Sequence, residues 1–418
     1  MTNGNSGKVF FGWWVVLASA VGLAVHFGPV ITLTFGLFVK PLGEDFGWGR
    51  GQISLGFTLA TLVIVVLQPV AGRLVDRVGA RLVILPGAAL LGCCIMAFSL
   101  FNGTLWFYYL LFMLAGLFAT TTNPVPYSKI VSRWFDRRRG LALALAVSGS
   151  SLGSIIWPNV VQHVISGYGW RTAYMVMGAA MIALAIPVVT LWLRDDPRDL
   201  GLTRDGAASS RTARDNAIEA EGISFREARG TAAFWLMVIA FGFVSLSFHG
   251  CLLHLVPMLT DRGITPELAA GATSILAFGI VVGRVVTGLL LDRFFAPYVA
   301  LVFFLCATLG IFLLASGIPG TAIFVAAALI GLAEGAELDI MPFMLSRYFG
   351  LKEFGTIYSF TFSAFILGGV IGPYAMGVAF DRTGGYAVAM PAMIVLPLIA
   401  AACMWQLPPY RFGRDGTR

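Results

Sequence analysis

Four residues that carry a full charge at neutral pH lie inside long apolar runs of this sequence, where a charge is costly. One is Arg284, and the other three are the acids Glu334, Glu337 and Asp339. A charged side chain at the centre of a membrane helix costs about 2.5 to 3.5 kcal/mol on insertion scales, so such residues usually serve a function. A guanidinium binds a carboxylate through two parallel hydrogen bonds, and two neighbouring acids can share one proton. These residue types therefore predict binding of an organic anion and movement of a proton.

The cation is placed near the middle of its apolar run. Arg284 precedes Asp292 by eight residues, which is about 12 Å of helix in an apolar layer roughly 30 Å thick. We predict that Arg284 contacts a substrate carboxylate. The alternative is a buried structural pair with an acid of the run that carries Glu334, Glu337 and Asp339.

The three acids share one run but not one face. Glu334 and Glu337 are three residues apart and lie on the same side of a helix, whereas Asp339 is turned about 200° from Glu337. The sequence therefore predicts that the three do not line one cavity. We expect Glu337, with Glu334, to carry the proton or to act in gating; the alternative for Glu337 is a structural link to neighbouring loops.

Histidines and neutral polar residues in other runs are weaker candidates. His26, His249 and His254 could bind an anion when protonated or relay a proton, or simply hydrogen-bond to a neighbouring helix. We expect His249 in proton coupling and His26 in substrate binding. The pocket wall could include amide, hydroxyl and indole groups, whose alternative is interhelical packing: Asn123, Tyr127, Ser148, Trp157 and Tyr358.

Composition excludes a soluble globular protein. Of the 418 residues, 58% are apolar and only 12% are charged, against about 25% charged in soluble domains. The five cysteines lie in apolar runs without paired spacing, and no phosphate loop or Ser/His/Asp arrangement stands out. We therefore predict no metal, no cofactor and no enzymatic activity, and we assign the net charge of +7 to membrane topology rather than to nucleic acid.

The apolar runs must be membrane helices, since each needs about 20 residues to cross a bilayer. Charged and Gly/Pro-rich breaks predict twelve spans, near residues 10–38, 51–71, 82–101, 105–128, 140–163, 170–193, 232–257, 267–291, 297–316, 320–345, 354–379 and 386–407.

The positive charges of the loops and termini predict the orientation. The loops and termini on one side of the membrane carry 22 Lys and Arg residues, and the loops on the other side carry 5. The excess marks the cytoplasmic side, so both termini are predicted to be cytoplasmic in a multi-pass cell-membrane protein, which we expect to be a bacterial inner-membrane protein and a monomer.

One long polar segment divides the spans six and six. Residues 194–230 carry seven Arg and eight acids, which predicts a cytoplasmic linker between an N-terminal bundle (1–193) and a C-terminal bundle (231–418). Near its end, Ser224 and Glu227 have the spacing of a capping box. This spacing predicts a short surface helix, with a disordered tether as the alternative.

The two halves repeat each other. The stretch from Gly72 to Arg77 recurs after the eighth span at an offset of 216, residues 132–135 recur as 346–349 at 214, and Gly140, Gly153 and Pro158 recur at 215. These matches predict two homologous six-helix halves around a central cavity, an arrangement that suits alternating access to a midplane site.

The loop after the second span carries a known signature. Residues 72–81, GRLVDRVGAR, resemble the G-x-L-x-D-R-x-G-R-[KR] motif of the major facilitator superfamily, with Ala80 where arginine is usual. The resemblance implies a charge cluster that breaks when the halves tilt. Its gating residues would be Asp76, Arg77 and Arg81, with Asp292 and Arg293 in the second copy.

A second signature narrows the resemblance. Residues 134–153 are similar to the monocarboxylate porter pattern Y-F-x-K-R-R-x-L-A-x-G-x-A-x-A-G-x-x-x-G, and residues 11–16 resemble that family's first span without its leading acid. Porters of this family carry an arginine at the place of Arg284, usually with an Asp one turn earlier, where this chain has Ile280. The resemblance implies proton-coupled symport of a small organic anion. The alternative is a proton-driven exporter of amphipathic compounds.

Overall fold

The computed structural model describes residues 10–206, 222–317 and 320–412, which are mostly helical. In chain order the helices are α1 (Gly12–Ala24), α2 (Phe35–Phe46), α3 (Arg50–Val78), α4 (Ala80–Ala97), α5 (Leu105–Ala119), α6 (Pro124–Trp134), α7 (Arg139–Trp192), α8 (Phe225–Ala228), α9 (Ala232–Thr260), α10 (Pro266–Leu291), α11 (Ala296–Ala315), α12 (Thr321–Phe349), α13 (Phe354–Thr383) and α14 (Met390–Trp405).

The helices account for the twelve predicted spans. Within the described residues, nine helical segments are long and apolar enough to cross a membrane. One of them, α7, has 54 residues and covers the fifth and sixth spans together. The tenth and twelfth spans are α12, with 29 residues, and α14, with 16.

Proline divides the first span, which the sequence predicts as one segment ending near residue 38. Pro29 begins a π-helical turn, Gly28–Thr32, between α1 and α2. Proline has no amide hydrogen to donate and its ring obstructs the preceding turn, so it disturbs the regular hydrogen-bond pattern of a helix. Pro257, by contrast, does not end its helix. It lies inside α9, which continues to Thr260.

The fourth span is also divided. Helix α5 ends at Ala119, and α6 begins at Pro124. The Asn123 side chain caps α6, because its Oδ1 accepts the Val125 N–H at 3.0 Å. Asparagine at the cap followed by proline in the first turn is a strong helix start.

Glycine joins the fifth and sixth spans without a loop. Gly169 has φ 82° and ψ 164° inside α7, a backbone conformation that glycine adopts at little cost. The chain therefore turns at this single residue. The sequence predicts two separate spans here, and the break between them is shorter than expected.

Packing divides the chain into two units. The first comprises Met1–Ile64 and Leu74–Ile218, and the second comprises Val65–Arg73 and Glu219–Arg418. Residues 65–73 of α3 therefore pack with helices of the second unit although they belong to the first repeat. The predicted domain limits at residues 193 and 231 stay a prediction.

Equivalent glycines bring helices close together in both units. A Cβ atom on Gly153 of α7 would lie 2.2 Å from the Ala24 carbonyl oxygen of α1, and one on Gly368 of α13 would lie 2.2 Å from the Gly242 carbonyl oxygen of α9. Only glycine permits such backbone contact between helices. These two glycines are related by the offset of 215, so the repeat extends to the packing of each unit.

The predicted capping box before the seventh span is present. Ser224 Oγ accepts the Glu227 N–H at 3.3 Å, and Glu227 Oε2 accepts the Ser224 N–H at 2.7 Å. These reciprocal bonds begin the short helix α8. Because its carboxylate accepts the Ser224 amide and hydroxyl hydrogens, the pKa of the exposed Glu227 is lowered from its ordinary value.

Candidate functional site

Arg284 has an acidic partner on a neighbouring helix. Its Nη1 lies 3.7 Å from Oδ1 of Asp339, which joins α10 to α12, and the two side chains are 5% and 0% exposed. This contact is the alternative that the sequence left open for Arg284, a buried pair with an acid of the tenth span. The helical phase of α12 turns Asp339 away from Glu337, but it could not tell that α10 lies on that side.

The Arg284–Asp339 ion pair is long and lacks supporting hydrogen bonds. Neither oxygen of Asp339 has a hydrogen-bond partner among the described residues, and neither do Nε and Nη1 of Arg284 or the hydroxyl of Thr287, one turn further along α10. Buried charges need close geometry and further hydrogen bonds to offset their loss of water. This pair has neither, so its polar atoms remain available to a ligand or a proton.

Two further carboxyl groups of α12 lie in the same unit, that of Glu337 buried and that of Glu334 half-buried. Glu337 is 1% exposed, and within the described part of the chain neither of its oxygens has a hydrogen-bond partner; Glu334 Oε2 is likewise unbonded. Glu334 interacts electrostatically with His249 of α9 and with Arg284. Helices α9, α10 and α12 of the second unit thus carry the predicted clamp and the three predicted proton-coupling residues, which we call the second-unit cluster.

The histidines of α9 have different surroundings. His249 Nδ1 lies 3.0 Å from the Ser245 carbonyl oxygen, one turn back on its own helix. Both ring nitrogens of His254 are in hydrogen-bond contact. Nδ1 lies 3.0 Å from the Tyr386 hydroxyl oxygen, and Nε2 lies 3.0 Å from the Pro373 carbonyl oxygen. His254 therefore links α9 to α13 and to the loop that follows α13. This is the alternative stated for the histidines, hydrogen bonding to a neighbouring helix.

Most of the predicted pocket-wall residues use their polar groups locally. Beyond its capping bond, Asn123 Nδ2 donates to the Thr120 carbonyl at 3.2 Å, Ser148 donates to the Ala144 carbonyl at 2.7 Å, and the Trp157 indole donates to the Ala24 carbonyl at 2.9 Å. His26 lies 2.6 Å from the Leu23 carbonyl oxygen. These residues belong to the first unit, whereas Arg284 belongs to the second, and their bonds are those of helix capping and packing.

Two predicted tyrosines are core residues. Tyr127 of α6 and Tyr358 of α13 are 1% and 0% exposed. A Cβ atom on Gly22 would lie 2.3 Å from the Tyr127 hydroxyl oxygen, so this tyrosine fills the space that the glycine leaves on α1. Tyr358 lies in the second unit and packs against Phe354 and Phe362.

The signature loop is held by a residue that the sequence did not single out. Lys129 Nζ of α6 lies 2.8 Å from Asp76 Oδ1 and 3.0 Å from the Val75 carbonyl oxygen. Lys129 is 2% exposed, although its position in the sequence suggested a loop cation that sets topology. One signal in the sequence could have identified Lys129 as a buried residue. It lies four residues before Arg133, about one helical turn, so it belongs to the helix itself and not to the loop that follows the helix.

The remaining gating candidates differ in burial. The Arg81 amide donates to Asp195 Oδ1 at 3.0 Å, and its guanidinium donates to the Thr190 carbonyl at 2.7 Å, so the loop is tied to the end of α7. Arg77 and Arg293 are exposed, and Asp292 is half-buried. Their predicted gating role stays a prediction.

Residues 65–73 of α3 pack tightly on α13. Gln68 Nε2 donates to Ser359 Oγ at 3.3 Å, and a Cβ atom on Gly72 would lie 2.3 Å from the Gly355 carbonyl oxygen. Gln68 is the repeat equivalent of Arg284. Where the second repeat places a cation, the first places a neutral amide that binds a hydroxyl.

The family follows from comparison with known proteins. The model described as "Major Facilitator Superfamily" matches residues 20–373. The chain belongs to the major facilitator superfamily. This membership confirms the predicted fold class, a helical polytopic protein with twelve spans in two halves. As a member of the superfamily, the chain is a multi-pass membrane transporter.

Similar proteins of the superfamily include curated transporters and solved structures. Monocarboxylate transporter 11 of Mus musculus is 28% identical over 403 residues, which cover 92% of this chain and 85% of that protein. Monocarboxylate transporter 13 of Rattus norvegicus is 26% identical over 413 residues, covering 96% and 90%. The solved structure of the proton:xylose symporter XylE aligns with a TM-score of 0.78 and 13% identity, covering 97% of each chain. The structural likeness supports the fold alone.

Within the described ranges, no group of three or more His, Cys, Asp and Glu side chains could hold a metal ion.

Proposed function

We propose that this superfamily member is a secondary transporter that moves a small organic monoanion together with a proton by alternating access. The observation that carries the proposal is the loose pair of Arg284 and Asp339, 3.7 Å apart and buried, with polar atoms on both sides that make no hydrogen bond within the described residues. The names of the two monocarboxylate transporters support an anionic substrate. XylE, a proton:xylose symporter, shows that this fold can accommodate proton coupling.

Arg284 would bind the carboxylate of the substrate. A guanidinium presents its N–H groups in a planar fork that matches a carboxylate, and such charge-assisted bonds are stronger than neutral ones. Because Nε and Nη1 of Arg284 are not engaged, an entering carboxylate does not have to break hydrogen bonds at these atoms. It has only to compete with Asp339.

Asp339 would take the proton as the substrate binds. When the substrate carboxylate neutralises Arg284, an ionised Asp339 would be left as a buried charge without a partner, which is strongly unfavourable. Taking up one proton removes that charge. The net charge of Arg284, Asp339 and the substrate then stays at zero, so the proposed stoichiometry is one proton for each anion.

Glu337, Glu334 and His249 would carry protons to and from this pair. Glu334 is the group that interacts with both His249 and Arg284, and Glu337 lies three residues further along α12. The Glu337 side chain is 1% exposed, and neither of its oxygens makes a hydrogen bond within the described residues. These oxygens would therefore be available to take a proton and pass it on.

Orientation follows from the distribution of positive charge. The excess of Lys and Arg on the side of residues 73–81 and 129–139 supports cytoplasmic termini in a bacterial inner membrane. The gating candidates Asp76, Arg77, Arg81, Asp292 and Arg293 would then lie at the cytoplasmic side, where they would act on the balance between access states. A monomer contains all the residues of the proposed site.

Transport by the purified full-length protein in liposomes tests the proposal. We expect radiolabelled benzoate and L-lactate to accumulate when an acidic outside is imposed, accumulation to collapse with a protonophore, and uncharged benzamide not to accumulate. Arg284→Gln liposomes are the matched control for passive entry of the protonated acids. Extrusion of a lipophilic cation instead of carboxylate accumulation would replace the proposal with the exporter alternative.

A further inference from the structure

The hydroxyl group of Thr287 is a buried polar group of α10, in the second unit. Thr287 is 0% exposed, and its Oγ1 makes no hydrogen bond within residues 10–206, 222–317 and 320–412. Burying a hydroxyl group without a partner is unfavourable. A residue that is kept buried in this way is a candidate for a functional role.

Other buried threonines of the second unit bond to their own helix. Thr308 Oγ1 of α11 donates to the Phe304 carbonyl at 2.8 Å, and Thr361 Oγ1 of α13 donates to the Ile357 carbonyl at 3.2 Å. A bond to the carbonyl group four residues back is common for threonine in a helix. Thr287 does not make this bond in the described structure, so its hydroxyl group is available to another partner.

Helices α10 and α12 meet in a regular register. A Cβ atom on Gly335 of α12 would lie 2.1 Å from the Ile280 carbonyl oxygen of α10. Four residues further along each helix, Arg284 meets Asp339. The two helices therefore run in the same direction, and a contact made at one turn recurs at the next, because residues four apart share a helix face.

The same register places Thr287 next to Asp339. A Cβ atom on Gly283 would lie 2.2 Å from the Leu332 carbonyl oxygen. Four residues further along each helix are Thr287 and Ala336. Asp339 follows Ala336 by three residues and so lies on the same face of α12. An unbonded hydroxyl group therefore lies beside a carboxyl group whose two oxygens are also unbonded among the residues described.

We propose that Thr287 is a positioning residue that holds the Asp339 carboxyl group when a substrate carboxylate takes over Arg284. The role rests on the proposed function. Without substrate, Arg284 is the partner of Asp339, at 3.7 Å. Once Arg284 binds the substrate, Asp339 needs another partner. A hydroxyl group suits both protonation states of Asp339, because it donates a hydrogen to a carboxylate oxygen and accepts one from a neutral carboxyl group.

Thermal unfolding without a ligand tests the arrangement before substrate binds. Thr287→Val replaces the hydroxyl group with a methyl group of similar size, and Thr308→Val is the matched control. Because only the Thr308 hydroxyl is bonded, we expect Thr308→Val to lower the unfolding midpoint and Thr287→Val to keep or raise it. A midpoint lowered by Thr287→Val as much as by Thr308→Val would show that the Thr287 hydroxyl is already engaged, and would overturn the proposal.

Exchange of labelled for unlabelled benzoate in liposomes tests the role with substrate. A hydrogen bond to a charged group is strong enough that Thr287→Val should raise the half-saturating benzoate concentration about tenfold. Thr287→Ser keeps the hydroxyl group and should restore the wild-type value. No increase in Thr287→Val, or the same increase in Thr287→Ser, would show that the hydroxyl group is not used and would overturn the proposal.

A second substitution tests whether Thr287 acts through Asp339. In an Asp339→Ala background the hydroxyl group has no carboxyl group to bond, so adding Thr287→Val should not change the half-saturating concentration further. The same increase in that background would show that Thr287 contacts the substrate directly, which would overturn the positioning role. The comparison with Thr287→Ser does not depend on the folding of Asp339→Ala.

Failure of this role and failure of the proposed function give different results. If wild-type protein exchanges benzoate normally and Thr287→Val does too, only the positioning role is overturned. If wild-type protein exchanges no carboxylate, the proposed function is overturned, and the role of Thr287 in substrate binding with it.

Discussion

Arg284 and Asp339 stand 3.7 Å apart in the second unit, whereas Lys129 and Asp76 of the first unit stand 2.8 Å apart. Both pairs are buried, but only the Lys129 ammonium also donates to a backbone carbonyl. A buried pair that is short and further hydrogen-bonded holds its place, while a long pair without hydrogen bonds is more easily exchanged for another partner. We therefore interpret Lys129 and Asp76 as a structural pair and propose that Arg284 and Asp339 are the pair used in transport.

The clamp can be tested by a conservative substitution. Arg284→Lys keeps the positive charge but loses the planar fork, so we expect benzoate uptake to fall at least about tenfold, the equivalent of roughly 1.4 kcal/mol. The thermal unfolding midpoint should change much less. Uptake and unfolding of the same preparations provide the comparison, and normal uptake by both Arg284→Lys and Arg284→Gln would rule out Arg284 as the clamp.

The proton acceptor can be separated from the clamp. Asp339→Asn cannot titrate, so we expect gradient-driven accumulation to be lost while exchange of labelled for unlabelled benzoate continues, because exchange needs no net proton movement. Its rate should also become less dependent on pH. Exchange and accumulation measured on the same liposomes decide the point, and accumulation at the wild-type level would exclude Asp339.

Glu337→Gln tests the neighbouring acid. The amide keeps the shape of the neutral carboxyl group but cannot pass a proton, so proton-driven uptake should slow while exchange remains measurable. The pH dependence of uptake is the measurement. If Glu337→Gln keeps the wild-type pH dependence and full accumulation, the coupling role passes to Glu334, Asp339 or His249.

The sequence predicts single helices better than it predicts which helices are neighbours. Hydrophobic run length marked the spans, and the capping box of Ser224 and Glu227 was found from spacing alone, because both signals are local. The spacing of two residues along α12 was enough to predict that Asp339 and Glu337 lie on different faces of the helix. The partner of Asp339 lies on another helix, so no periodicity within α12 could identify Arg284.

Long-range pairs escaped prediction for the same reason. Asp76 and Lys129 are 53 residues apart in the chain, and only the packed unit brings them together. Asn123 and Ser148 were predicted as pocket residues because they are polar in apolar runs. Such residues can also satisfy backbone groups of their own helix, and the type of residue does not distinguish the two uses.

A pair of glycine substitutions tests close helix packing. Gly153→Ala places a Cβ atom 2.2 Å from the Ala24 carbonyl oxygen, whereas a Cβ atom on Gly36 of α2 meets nothing within 4 Å. We expect Gly153→Ala to destabilise the protein by about 1 to 3 kcal/mol and Gly36→Ala to stabilise it by roughly 0.5 to 1 kcal/mol. Thermal unfolding of both variants is the measurement. Equal midpoints would show that α1 and α7 are not packed this closely.

The balance between access states should depend on Asp76. Because Lys129 holds the Asp76 carboxylate, Asp76→Asn weakens the attachment of the signature loop without touching the second-unit cluster. We expect slow transport, near-normal affinity for carboxylate ligands and greater labelling from the cytoplasmic side of cysteines introduced along the fourth and tenth spans. Asp292→Asn should have a weaker effect, since its loop continues with Phe294 and Phe295 where the first copy reaches Gly79 and Arg81.

Substitution of the partner provides the control. Lys129→Met removes the ammonium that lies 2.8 Å from the Asp76 carboxylate. Breaking a buried pair in this way should cost about 3 to 5 kcal/mol, whereas the double variant with Asp76→Asn should recover most of that loss. The thermal unfolding midpoints of the two single variants and the double variant measure this coupling. A double variant no more stable than Lys129→Met would show that the two residues do not act as a pair. If Asp76→Asn abolished binding and left the labelling pattern unchanged, Asp76 would belong to the substrate site, and the assignment of gating from the repeat would be wrong.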